Sequence, residues 1–270
     1  MAPGKLWSLD NVGDFDLSGR VAIVTGGNGG IGLGMADALA RAGCAVSIWG
    51  RNREKNERAR AQLIAHGGAV EARICDVSDR RSVEAAFQAT LAEFGRVDAC
   101  FANAGVGGGS RHAFVERSEE EWRHMFAANL DSVFHVFQVA ARHMIGRAER
   151  GDAFGRLVAT SSTASLFGTA RNEHYAATKA AVNALVRALA VEHARYGITA
   201  NAILPGWIRS DMTAGIMANE KFVNNVMPRI PMRRFGEAQD FGGIAVYLAS
   251  KASSYHTAEC FVIDGGYSAF

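Results

Sequence analysis

An α/β fold built on a doubly wound parallel sheet follows from three features of this 270-residue chain. Short apolar runs alternate with longer segments of helical composition from one end to the other, the rhythm of successive β–α–β units. A glycine cluster joins the first of those runs to the first helical segment. No linker, repeat or low-complexity stretch divides the chain, and 49% apolar against 21% charged residues give one domain a substantial core.

The elements follow in order. Residues 1–18 read as an N-terminal extension, with Asp16-Leu17-Ser18-Gly19 turning into the domain that occupies 19–270. Arg20–Thr25 is β-branched and apolar, as a buried parallel strand requires. The turn Gly26-Gly27-Asn28-Gly29-Gly30-Ile31-Gly32 leads into a helix through Met35, Ala38, Leu39 and Ala42 that Gly43 stops. Ala45–Trp49 is the second strand, Arg53–His66 a polar helix ended by Gly67-Gly68, and Val70–Ile74 the third strand. Val77–Phe94 contains a helix stopped by Gly95, and Val97–Ala102 is the fourth strand, running into Asn103-Ala104-Gly105. After a loop with Gly107–Gly109, a single long helix is expected from about Ser118 to Arg147. Gly155–Thr160 is the fifth strand, a helix runs to about Tyr196, and Ile198–Leu204 is the sixth. Residues 207–235 read as irregular, Ala238–Ala249 as a helix, and Cys260–Ile263 as the seventh strand, before Asp264-Gly265-Gly266.

Composition removes several function classes. A net charge of +2 without basic runs gives no footprint for nucleic acid or an acidic membrane surface. Cys44, Cys75, Cys100 and Cys260 are widely separated, and the first three suit small buried apolar positions rather than a disulfide framework. The eight histidines form no HxxxH or HExxH pattern, so no metal site is expected. The first residues lack a charged stretch followed by a long apolar run, and no segment could span a bilayer, so a cytoplasmic protein is expected.

The segment Ser161–Lys179 carries the chemistry. Tyr175 and Lys179 stand four apart in a helical segment and therefore project from one face. A phenol with a pKa of about 10 is a poor base, and lowering it by roughly 3 units takes about 4 kcal/mol. One lysine cation at about 4–5 Å, with an effective dielectric near 20, supplies roughly that much. The pair suits proton transfer coupled to hydride transfer at a carbonyl or alcohol carbon, although YxxxK alone is also an ordinary helix surface. Ser162 falls at the C-terminal end of a strand, where open parallel sheets collect ligands. At the other end, glycines between strand and helix let a backbone approach a pyrophosphate at a helix N-terminus, the Rossmann-type arrangement. After the second strand, Trp49-Gly50-Arg51-Asn52-Arg53 lacks the acid that binds a ribose 2′-hydroxyl in NAD sites. Arg51 could instead hold a 2′-phosphate, which favours NADP over NAD; otherwise Arg51 and Arg53 are solvated charges opening a polar helix.

Taken as a set, these residues resemble the short-chain dehydrogenases/reductases from about residue 18 to the end. Thr25-Gly26, Gly30-Ile31-Gly32 is similar to the family's nucleotide turn, in which Gly26, Asn28, Gly29, Gly30 and Ile31 would meet the cofactor. Asp76-Val77 is similar to the pair that contacts adenine, and Asn103-Ala104-Gly105 to the motif closing the fourth strand, with Ala102 where an asparagine commonly precedes it. Asn129, Ser162, Tyr175 and Lys179 match the catalytic tetrad, Ser162 being favoured over Ser161 by its 13-residue distance from Tyr175. Pro205-Gly206-Trp207-Ile208 with Ser210 is similar to the segment that holds the nicotinamide carboxamide, Ser210 standing where threonine is usual.

The resemblance implies that Ser162 stabilises the substrate oxygen and that Tyr175 is the general acid/base. Lys179 would lower the Tyr175 pKa and bind the nicotinamide ribose. Asn129 would break the regularity of its helix and hold a proton-relay water. It also implies a substrate lid at about 207–235, in which Met212, Met217 and Phe222 either line the pocket or pack locally. Arg111 or His112 could meet a polar or acidic substrate, whereas His174 is expected to be structural. A homotetramer is implied, built from the helices of Asn129 and Tyr175 and the C-terminal strand, with Phe270 compatible with burial there. The expected activity is NAD(P)-dependent interconversion of a secondary alcohol and a ketone, NADP preferred. The alternatives are NAD-dependent oxidation of a polyol or sugar acid, reduction of a 3-oxoacyl thioester, or a non-catalytic nucleotide sensor, which would have no need of an acid/base pair.

Overall fold

The computed structural model describes residues 13–108 and 112–269. The expectations for residues 1–12 of the extension and for Gly109, Ser110, Arg111 and Phe270 lie outside the described residues. Seven strands form one all-parallel sheet: β1 (Val21–Thr25), β2 (Ala45–Gly50), β3 (Val70–Ile74), β4 (Ala99–Ala102), β5 (Gly155–Thr160), β6 (Ile198–Pro205) and β7 (Cys260–Ile263). Their order is β3-β2-β1-β4-β5-β6-β7, so the winding reverses between β1 and β4. The carboxyl ends of the strands on either side of that reversal open a crevice, the place where such sheets take ligands.

Alternation along the strands explains the two cores. Ala22 and Val24 of β1 face helices α1 (Gly30–Arg41), α2 (Arg53–Ile64) and α9 (Gly242–Ala249), joining Met35, Leu39, Leu63, Phe241 and Leu248. Ile23 faces the opposite way, toward α3 (Arg80–Phe94), α5 (Ser132–Glu149) and α6 (Glu173–His193), with Phe87, Phe137, Met144 and Val186. Burial on both faces is what makes the central strands β1 and β4 continuous apolar runs, whereas the edge strand β3 alternates, with Glu71 and Arg73 between Val70, Ala72 and Ile74. Among the described residues, no helix is long and apolar enough to cross a membrane.

Three expectations change. The single helix over Ser118–Arg147 is instead α4 (Glu119–Phe126), a π turn at Ala127–Asp131, and α5, the irregularity falling at Asn129 as the family resemblance implied. Asn129 causes the break: it is fully buried, and its amide accepts from the Val106 N–H at 2.8 Å and donates to the Val106 carbonyl at 3.0 Å. The segment 207–235 is not irregular throughout but contains two short helices, α7 (Asp211–Met217) and α8 (Glu220–Val226). Asn219 caps α8 by accepting from the Phe222 N–H, and Ser210 opens α7 in a capping box with Thr213. The helix expected over Ala238–Ala249 begins as a 3-10 turn, Ala238–Phe241, pressed so closely on α1 that a Cβ on Gly34 would come 2.1 Å from the Ala238 carbonyl.

Candidate active site

The carboxyl ends of the strands and the α7–α8 segment enclose a cavity of about 1090 Å³. Every residue expected to touch a cofactor lies on its wall: Gly26, Asn28, Gly29, Gly30, Ile31, Arg51, Asp76, Val77, Asn103, Ala104, Gly105, Tyr175, Lys179, Pro205, Gly206, Ile208 and Ser210. Ser162 lies there too, whereas Asn129 sits behind the wall, buttressing Gly105 and Val106.

The glycine turn fits a diphosphate for specific reasons. Gly26 and Gly30 have φ of +66° and +49°, which L side chains rarely adopt. A Cβ on Gly32 would come 2.3 Å from the Gly26 carbonyl, so only glycine lets α1 start this close to β1. The amino end of α1 has neither a side-chain cap nor an acid in its first turn, leaving its N–H groups and positive dipole end available to an anion. Thr25 ties the turn to β4: its hydroxyl accepts from the Asn103 and Ala104 N–H groups at 2.9 and 3.0 Å. Asn103 in turn donates to the Thr25 carbonyl and accepts from the Thr160 hydroxyl, holding the ends of β1, β4 and β5 together.

Toward the other end of that half, Arg51 is exposed on the wall just after β2. A side chain at Gly50 would collide with Asn28 and Asn56, which are hydrogen-bonded to each other at 2.6 Å. Asp76 accepts from the Ser78 hydroxyl and N–H; these bonds, opposed by partial burial and aided by the Arg51 charge, hold its carboxyl below the usual value. Lys55 of α2 reaches across to Asp211 of α7 at 2.6 Å, joining the two halves of the cleft.

Ser162, Tyr175 and Lys179 converge on the other half. Ser161 turns away to donate to the Lys179 carbonyl at 2.9 Å, which leaves Ser162 to face Tyr175. Lys179 is buried, its Nζ donating to the Thr160 carbonyl at 2.9 Å and lying 5.6 Å from the centre of the Tyr175 ring. Burial pushes this ammonium down to about 8. The Tyr175 phenol departs from the expectation: burial raises its pKa above 10, and the Ser162 hydrogen bond only partly opposes that. At neutral pH the phenol therefore keeps its proton and Lys179 remains mainly an ammonium, a neutral proton donor and a cation within a small volume.

On the far wall, Met212, Ile216 and Phe222 line the cavity, with Phe222 against Trp207 edge-on at 4.8 Å. Met217 packs instead into the small core of Val226, Ile230, Phe235 and Tyr267. His112 does not line the cavity; its Nδ1 lies 3.3 Å from Glu121. His174 is buried, and burial and the Arg117 charge lower its pKa, so Nε2 accepts from Arg117 at 3.1 Å. Thr160, the Lys55–Asp211 bridge, and Arg171, a wall residue four before Tyr175, join the site without having been expected from the sequence. Only Arg171 carried a signal, a cation next to the catalytic helix.

A glycine cradle facing Ser162, Tyr175 and the buried Lys179 across one cleft defines a nicotinamide-dependent oxidoreductase. The family model described as enoyl-(acyl carrier protein) reductase matches residues 26–268. The chain is 35% identical over 253 residues to the gluconate 5-dehydrogenase of Gluconobacter oxydans (strain 621H), covering 93% of this chain and 96% of that protein. A short-chain type dehydrogenase/reductase from Mycobacterium marinum superposes with a TM-score of 0.89 at 32% identity, over 95% of this chain and 98% of that one. A gluconate 5-dehydrogenase from Burkholderia cenocepacia J2315, in complex with NADP and tartrate, does so with a TM-score of 0.88 at 33% identity, over 95% and 98%. The chain belongs to the short-chain dehydrogenase/reductase family and is an NAD(P)-dependent enzyme.

Proposed function

We propose that the protein interconverts a secondary alcohol and a ketone with NADP as the preferred cofactor. The observation that carries this is the convergence of Ser162, Tyr175 and Lys179 on one cavity that also holds the glycine cradle. Gly26, Asn28, Gly29, Gly30 and Ile31 would hold the diphosphate, and Asp76 and Val77 the adenine. Arg51 would take the 2′-phosphate, with no carboxylate at the end of β2 to repel it. Asn103, Ala104, Gly105, Pro205, Gly206, Ile208 and Ser210 would frame the nicotinamide half, with residues 207–235 as the lid. The bound nucleotide supplies the hydride in reduction and accepts it in oxidation.

Ser162 donates to the substrate oxygen and stabilises the alkoxide character that develops on it. Tyr175 gives its proton to that oxygen in reduction and takes it back in oxidation. Lys179 places a positive charge beside the phenolate formed. Asn129 acts behind them, its π turn keeping Val106 and Gly105 against the lysine. The cytoplasm as location and a homotetramer as assembly complete the proposal; Phe134 on α5, Val191 on α6 and Val262 on β7 are 45%, 83% and 43% exposed, apolar surface that a partner copy would cover.

A second reading, oxidation or reduction at a sugar acid, is favoured by the names of the Gluconobacter and Burkholderia relatives. Replacing Tyr175 with Phe tests the mechanism. NADPH binding by calorimetry should stay within about 3-fold of the parent, while turnover of 5-keto-D-gluconate, or of whichever ketone the parent reduces, should fall by at least about 100-fold. Turnover that persists in this variant would remove Tyr175 from the chemistry.

A further inference from the structure

Three non-glycine residues among those described have positive φ: Arg171 (62°), Arg233 (52°) and Ala258 (69°). Only Arg171 lines the cavity. Left-handed backbone at an arginine is costly, and glycine or asparagine would adopt it more readily. Such an outlier at a cavity wall is a pointer to a function for the side chain it carries.

The surroundings hold that backbone in place from both sides. The Arg171 N–H donates to Glu173 Oε1 at 2.7 Å, and its carbonyl accepts from Arg117 at 3.0 Å. Arg117 is itself buried, with 3% of its side chain exposed, and also contacts His174, Glu173 and the His112 carbonyl. So the main chain of Arg171 is anchored to a buried cation, while among the described residues its own guanidinium has neither an ion-pair nor a hydrogen-bond partner. The two carboxylates on the cavity wall are engaged elsewhere, Asp76 with Ser78 and Asp211 with Lys55.

We infer that Arg171 is the receptor for a carboxylate on the substrate, so that the enzyme acts on free hydroxy and oxo acids rather than on neutral ketones or thioesters. The inference deepens the proposed alcohol–ketone activity and rests on it. Arg171 stands four residues before Tyr175, on the segment that leads from Ser162, and lines the same cavity as both. Arg51 serves the opposite half of the cleft, just after β2. A guanidinium presents paired donors that match a carboxylate, and a thioester offers no such charge.

The test uses a panel of oxo acids, 5-keto-D-gluconate among them, each beside its neutral primary amide, with NADPH. Tartrate is titrated calorimetrically into the enzyme–NADP⁺ complex. For the parent, kcat/KM should favour acid over amide by about 10- to 100-fold, the range of a charge-assisted bidentate contact. In Arg171→Gln that ratio should collapse toward 1 through KM, tartrate affinity should fall by a similar factor, and NADPH affinity should hold. Arg171→Lys should recover part of the ratio. Acids and amides reduced equally by the parent would overturn the inference while leaving the oxidoreductase reading intact. Equal tartrate affinity in parent and Arg171→Gln would overturn it as well, as would loss of NADPH affinity in that variant, which would assign Arg171 to the cofactor. If no ketone is turned over yet tartrate affinity still depends on Arg171, the proposed reaction fails and the anion receptor stands.

Discussion

Lys179→Met should make the cofactor-free protein more stable while removing its activity. Lys179 is 5% exposed and has no carboxylate within ion-pair distance among the described residues; the one acceptor found for its ammonium is the Thr160 carbonyl. Burial takes its pKa from 10.5 to about 8. That difference corresponds to about 3 kcal/mol of cost to the folded state at neutral pH. Methionine removes the charge at similar volume but leaves the Thr160 carbonyl without its donor, a loss of about 1 kcal/mol. The net gain is about 2 kcal/mol, or a rise of roughly 4 °C in Tm for a domain of this size.

The sign of the pH dependence makes the experiment decisive. Below about 8 the lysine is protonated both folded and unfolded, so the full cost of burying the charge is present. Between about 8 and 10.5 the unfolded chain binds more protons than the folded one, and stability of the parent rises with pH. The advantage of Lys179→Met should therefore be complete at pH 7 and shrink to nothing near pH 10. Urea unfolding followed by tryptophan fluorescence at both values measures it. A variant less stable than the parent at pH 7, or a difference that does not change with pH, would refute the reasoning. Saturating NADPH should favour the parent, because ligand binding adds stability to the form that binds best.

Two further outcomes follow from the charges. Arg51→Ala should weaken NADPH binding by about 10-fold or more and leave NADH binding nearly unchanged, a loss matched to one charge-assisted contact; equal loss for both nucleotides in calorimetric titrations would take Arg51 out of 2′-phosphate recognition. Asp98 is fully buried and accepts from Arg20, Arg96 and the Val21 N–H, with Arg147 at 2.9 Å. Burial works to raise its pKa, but Arg96, Arg147 and Val21 together hold it below 3.8, so its contribution is present above that value and is lost as pH falls through the lower folded one. Asp98→Asn should cost about 3–5 kcal/mol at pH 7 by leaving the buried Arg147 under-compensated, with a smaller penalty in acid; denaturant midpoints at pH 7 and pH 3 measure both.

Local rules made most of the fold legible. Val70–Ile74, Gly155–Thr160 and Cys260–Ile263 have the expected limits because turn residues and glycines bracket short apolar runs. Periodicity alone gives one helix over Ser118–Arg147, because it does not report a side chain hydrogen-bonded to a strand-end loop; the break at Asn129 was legible only through the family resemblance. Asn129 lies 23 residues from Val106, and that bond, not the helix propensity of its neighbours, sets the π turn. The two helices in 207–235 escaped because each has seven residues and depends on caps, Ser210 with Thr213 and Asn219 with Phe222. Helices that short carry too few apolar repeats to stand out in a sequence.

The same distinction separates what was readable in the site from what was not. Tyr175 and Lys179 were readable because a helix converts a spacing of four into neighbourhood. Ser162 was legible from its place at the end of β5, and only its interval to Tyr175, compared with a known pattern, favoured it over Ser161. Lys55 and Asp211 are 156 positions apart, and no spacing rule connects them, although they join the cofactor half of the cleft to α7. Arg171 depends on a backbone angle set by Glu173 and by the distant Arg117, which a sequence does not display. The Tyr175–Lys179 pair proposed to carry the chemistry is thus fixed by local helix geometry. The residues that would select the substrate are fixed by contacts between remote segments, and only the folded chain brings them into view.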